Sequence, residues 1–97
     1  MKFFYFYGGL RLLEDCFDHD IDYYGTDLKM LKTVTAKDCQ SACAGNKDCV
    51  EFTWLGVSKN GDPDYLHRCY LKNGYHTETS SKPGFISGPK ECGNLHY

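Results

Sequence analysis

The residues Thr35–Trp54, Thr-Ala-Lys-Asp-Cys-Gln-Ser-Ala-Cys-Ala-Gly-Asn-Lys-Asp-Cys-Val-Glu-Phe-Thr-Trp, hold a helix, its stop and the start of a strand. Thr35 is a hydroxyl N-cap, and Asp38 three residues later is a short version of the capping-box acid. The helix runs through Cys39, Gln40 and Ala42 to Cys43, and Gly45-Asn46 stop it. Ala36, Cys39 and Cys43 fall on one face. The two cysteine side chains run parallel along that face, so each is better placed to bond to another element than to its neighbour. From Cys49 to Val57 the period changes. Val50, Phe52 and Trp54 alternate with Glu51, Thr53 and Leu55, which predicts a strand with one core-facing side.

Working outward, Ser58–Asp64 is a loop with Asn60-Gly61 as its turn signal, and Tyr65–Lys72 reads as the return strand. If Cys69 faces the helix, so do His67 and Leu71, while Arg68, Tyr70 and Lys72 point to the opposite face beside Glu51 and Thr53. Asn73-Gly74 ends that strand, Tyr75 to Pro83 reads as polar loop, and Phe85-Ile86 as a short last strand before Cys92. Upstream, Cys16 to Leu28 suggests strand–turn–strand about Gly25. Asp18, Asp20 and Asp22 invite a calcium loop, but its sixth and twelfth positions hold Tyr23 and Lys29, not Gly and Glu.

The chain has 97 residues, one domain's worth, of which 41% are hydrophobic. Its mean hydropathy of −0.53 reads as soluble and globular. A net charge of −2 and no Lys/Arg run argue against nucleic acid, and no stretch is apolar enough for membrane insertion. Six cysteines, at positions 16, 39, 43, 49, 69 and 92, point to a disulfide framework formed in an oxidising, secreted setting. Spacing alone leaves many pairings open. No C-x-x-C pair is present, so neither a metal nor another cofactor is expected. Residues 1–15 stand apart as an aromatic arm. Phe3, Phe4, Tyr5, Phe6 and Tyr7 are consecutive, and such a run has the β-propensity of a docking strand. The run is too short for a secretory leader, and no small-residue cleavage pattern follows. A leader is therefore expected to have been removed, or the chain to be part of something longer.

At this point the residues resemble the PAN/apple domain family. The resemblance rests on Asp38-Cys39-Gln40-x-x-Cys43, Cys49-x-x-Phe52-Thr53-Trp54, Cys69-x-Leu71-Lys72 and Ile86-Ser87-Gly88-x-x-x-Cys92. Tyr24-Gly25-x-Asp27-Leu28 ahead of the helix fits the way that family opens. It covers residues 16–92, the expected domain, between the arm and a tail at 93–97, and leaves out the loop Ser58–Asp64. The resemblance implies an α+β fold, a small antiparallel sheet with one helix packed across it. It also implies nested disulfides, Cys43 with Cys49, Cys39 with Cys69 and, as in the apple subset, Cys16 with Cys92.

Nothing in the chain resembles a catalytic motif. There is no G-x-S-x-G elbow, H-E-x-x-H pair or phosphate-cradling glycine loop, and the expectation is a non-enzyme. Binding is the better search, since eight tyrosines make the surface rich in recognition side chains. The candidate ligand-binding residues are Glu51, Arg68, Tyr70 and Lys72 on the sheet face, with Tyr65, Tyr75 and His76 on the adjoining loops. What the resemblance implies is an extracellular module that recognises protein or carbohydrate. The alternative is a structural subunit that assembles with its own copies into an oligomer or filament through Phe3–Tyr7.

Overall fold

In this computed structural model residues 15–93 are described in full, and residues 5–6 and 9–10 through their backbone. Tyr5–Phe6 (β1) pairs antiparallel with Gly9–Leu10 (β2) in a two-stranded ladder of its own. Phe3, Phe4 and Tyr7 of the expected docking arm lie outside the described residues, as do 94–97 of the tail.

The body is a five-stranded antiparallel sheet with one helix across it. In chain order come β3 (Asp18–Tyr24), β4 (Asp27–Lys32), helix α1 (Ala36–Ala44), β5 (Glu51–Leu55), β6 (Arg68–Lys72) and β7 (Glu78–Pro89). In space the strands run β3-β7-β5-β6-β4. The helix begins as its cap dictates, with Thr35 Oγ1 accepting from the Asp38 amide at 3.0 Å. Gly45 closes it by donating to the Ser41 carbonyl at 3.0 Å. Three disulfides pair Cys39 with Cys69, Cys43 with Cys49 and Cys16 with Cys92. The first two fix the helix to β6 and to the entry of β5. Phe52 and Leu71 pack with their four half-cystines, and Phe17, Leu28, Leu31 and Trp54 close the edges of that core. Gln40 turns inward from the same helix face, and its Nε2 donates to the Pro89 carbonyl at 3.2 Å.

The strand–turn–strand about Gly25 is present as β3 and β4, which do not pair but form opposite edges of the sheet. Three expectations change. Strand β5 is shorter than expected, ending at Leu55 because Gly56 turns to donate to the Gly84 carbonyl at 2.8 Å. Tyr65 belongs to a short 3-10 turn, Pro63–Tyr65, capped by Asp62, so β6 starts only at Arg68. The stretch read as polar loop is largely strand, since β7 runs for twelve residues. Its first half pairs with the edge strand β3, where water reaches one side and polar residues suffice, so no hydrophobic alternation marks it. A bulge at Asp20 absorbs the extra residues around Pro83 and Gly84, and the Gly84 amide donates to Asp20 Oδ1 at 2.8 Å.

The edge strands decide the shape. Only Gly25 and Thr26 connect Tyr24 at the end of β3 to Asp27 at the start of β4. Three Cα–Cα steps reach about 11 Å at most. Five flat strands would hold their edges about 19 Å apart. The sheet must therefore curl until its edges converge at that end, and the face turned away from the helix becomes concave.

Candidate functional site

Alternation along β5, β6 and β7 decides what floors the concave face. Phe52, Cys69 and Leu71 point to the helix, so Glu51, Thr53 and Leu55 point away, with Tyr70 and Lys72 beside them and Phe85 and Ser87 beyond. Register pairs Glu51 with Lys72 and Thr53 with Tyr70. The walls come from Asp22, Tyr23 and Tyr24 of β3, from Gly25 and Asp27, and from Lys59 and Tyr65 across the bowl. The half-open bowl has a volume of about 290 Å³, room for one sugar ring or one large side chain.

Curling buries what was expected to be an exposed face. Glu51 is 3%, Thr53 1% and Lys72 5% exposed. Every such group needs a partner in this dry floor, and each has one. Thr53 Oγ1 and Ser87 Oγ lie 2.7 Å apart, and Ser87 Oγ donates to the Ile21 carbonyl at 2.8 Å. Lys72 Nζ donates to Asp27 Oδ1 at 2.6 Å. The Glu51 carboxylate meets His76 Nδ1 at 3.0 Å, and the His76 ring stacks on Tyr23 with centroids 3.9 Å apart. Tyr23 in turn donates its hydroxyl to Asp18 at 2.5 Å. Burial first, and the Asp18 carboxylate second, push the Tyr23 phenol well above its ordinary pKa.

Arg68 braces the rim. Its guanidinium lies 4.0 Å over the Tyr65 ring, donates to the Tyr70 hydroxyl at 2.9 Å and reaches Asp64 Oδ2 at 2.5 Å. Tyr70 and then Asp64 hold its pKa above the usual guanidinium range. Arg68, and next Lys32, hold the Asp64 carboxyl below its own.

Of the residues singled out from the sequence, Tyr65, Tyr70 and Lys72 line the cavity. Glu51 sits in the buried floor held by His76, and Arg68 stands behind the two tyrosines. Tyr75 does not join them, since it is 73% exposed and outside the lining. Sequence reasoning missed Tyr24, Asp27 and Lys59. Tyr24 and Asp27 flank Gly25, a signal that marks a turn but not which edges it joins. Lys59 precedes Asn60-Gly61, and both of those residues have positive φ, as a two-residue hairpin turn requires. Lys59 and Asp62 then bridge, which aims Lys59 back at the bowl.

A family model described as PAN domain matches residues 21–72, more than half of the chain. Among solved structures, the two N-terminal apple domains of Toxoplasma gondii microneme protein 4 align with a TM-score of 0.57 and 27% identity. That alignment covers 76% of this chain and 44% of the other, so the chain spans less than half of that two-domain structure. Matching motifs, a five-stranded sheet with one crossing helix and three disulfides agree, and the chain belongs to the PAN domain family.

Proposed function

We propose that this domain is a non-catalytic extracellular recognition module and that the concave sheet face receives a carbohydrate. Family membership supports the coarser reading, an extracellular module for protein or carbohydrate binding. The three disulfides fit an oxidising compartment. The observation that carries the choice of site is the bowl itself. It is a cavity of about 290 Å³ whose floor is polar and already satisfied, ringed by Tyr24, Tyr65 and Tyr70. Satisfied floor groups are held still, so a ligand binds a preformed shape and meets little reorganisation. Tyrosine rings supply apolar planes for the faces of a pyranose, and their hydroxyls and Lys72 supply hydrogen bonds to its edge.

The test is a chemical-shift titration of the oxidised, isotope-labelled protein with a panel of methyl glycosides. Binding should shift the amides of Tyr24, Tyr70 and Lys72 while those of the helix Ala36–Ala44 stay put, and Tyr65→Ala should weaken it about tenfold. Shifts confined to the helix, or none with any glycoside, would sink this reading.

A further inference from the structure

We infer that the bowl selects an acidic sugar, and that Lys59 is the residue that reads its negative charge. This inference rests on the bowl being a carbohydrate site. The charges about it nearly cancel in pairs. Lys72 holds Asp27 at 2.6 Å, Lys82 lies 3.5 Å from Asp22, and Arg68 and Lys32 share Asp64. Buried Glu51 is engaged by His76. Lys59 is the remaining cation of the lining, and among the described residues it has no carboxylate partner. Its Nζ stands 5.5 Å from the centroid of the Tyr65 ring, exposed at the mouth of the cavity.

The hydrogen-bond inventory points the same way. The Tyr70 hydroxyl accepts from Arg68, so its own proton is left to donate elsewhere. The Tyr24 hydroxyl accepts from Ser80 Oγ at 3.1 Å, with the same consequence. Lys72 gives one of its three protons to Asp27. The rim thus offers an ammonium and several donors, while Asp22, Asp27 and Asp64 are held by Lys82, Lys72 and Arg68. That balance favours an acceptor-rich, anionic group, and an ammonium-to-oxyanion hydrogen bond is about twice as strong as a neutral one.

The backbone of Lys59 has a defined setting. Positive φ at Asn60 and Gly61, the Lys59–Asp62 bridge and the Asp62-capped turn at Pro63–Tyr65 shape the loop as a hairpin. The loop Ser58–Asp64, which lies between the motifs that carry the family resemblance, is therefore the part that supplies the charge-reading side chain.

The experiment compares charged and neutral members of a pair by the same titration. Methyl β-glucuronide is set against methyl β-glucoside for a carboxylate, and galactose 6-sulfate against galactose for a sulfate. In low salt the acidic member of at least one pair should bind about tenfold more tightly, and the pair that discriminates names the oxyanion. Lys59→Gln should erase that preference without weakening the neutral sugar. Lys29→Gln, which removes an exposed cation of β4 outside the lining, should change nothing. Equal affinity within both pairs, or a preference that survives Lys59→Gln, would overturn the proposal while leaving the bowl a sugar site. Absence of binding by all four sugars would remove the carbohydrate reading with it. Stronger binding of a glutamate-rich peptide than of any sugar would overturn it in favour of a protein partner.

Discussion

Lys72 and Asp27 form an ion pair whose two ends live in different surroundings, and the difference makes their removal unequal. The lysine side chain is 6% exposed and the aspartate 53%. Replacing Lys72 with methionine takes a charge out of a dry floor, keeps the volume, and leaves an aspartate that water can solvate. Replacing Asp27 with alanine takes from a buried ammonium the carboxylate it is hydrogen-bonded to. Asp27→Ala should therefore cost about 1–3 kcal/mol of stability, and Lys72→Met less than about 1 kcal/mol, as measured by urea denaturation. The Tyr23 phenol gives a second expectation. Its folded pKa lies above its unfolded value of about 10, so at higher pH the unfolded chain gives up its proton while the folded chain retains it. The contribution of Tyr23 is constant below about pH 10 and is lost as pH rises beyond that value. Tyr23→Phe should flatten that alkaline slope, while losing about 1 kcal/mol at pH 7 with the Asp18 hydrogen bond.

Strands and turns carry their own constraint at Gly84. Its φ of +87° lies where side chains are strained, and a Cβ there would run into the Val57 side chain packed against it. Gly61 offers the comparison, since its φ is +74° but nothing lies within 4 Å of its missing Cβ. Gly61→Ala should cost about 1 kcal/mol from backbone strain alone. Gly84→Ala adds overpacking to that strain and should cost about 2–4 kcal/mol, with thermal melts separating the two. The same contrast explains what was legible beforehand. Thr35, Asp38 and Gly45 announce the helix because caps act through neighbours in the chain. The alternation from Val50 to Trp54 announces β5 because one face packs on the helix and the other carries polar side chains. Strand β7 was hidden, since Glu78–Ser81 are polar and pair at a wet edge, and Pro83-Gly84 mimic a loop while serving a bulge. Lys59 was hidden for a related reason: Asn60-Gly61 reveal the turn, but the direction of its hairpin depends on contacts with β6 and the bowl.

Closure of the sheet is a property of the whole chain, and it is why the candidate site read only in part. Local pattern put Glu51, Thr53, Tyr70 and Lys72 on one face, but whether that face is flat and wet or concave and dry depends on Tyr24 and Asp27 meeting across the sheet. The disulfides act at this level too, and they divide the work unequally. In the chain-entropy account a bridge stabilises more the longer the loop it closes. Cys16–Cys92 closes 76 residues, Cys39–Cys69 closes 30 and Cys43–Cys49 closes 6. Removing the first should cost about 4.5 kcal/mol and removing the last about 2 kcal/mol. The site should respond in another order. Strands β3 and β7 are paired at six positions without help from Cys16–Cys92, so the bowl keeps its walls when that bridge is cut. Cys39–Cys69 holds the helix against β6, whose next residue is Tyr70, so its loss loosens the floor of the cavity. The double variant Cys16→Ala/Cys92→Ala should therefore melt well below the parent yet keep the amide pattern of Tyr24, Tyr70 and Lys72. Cys39→Ala/Cys69→Ala should lose about 3.5 kcal/mol and that pattern together. If the terminal bridge proved to be the one that erases the pattern, closure of the bowl would depend on tying the chain ends and not on the short β3–β4 connection.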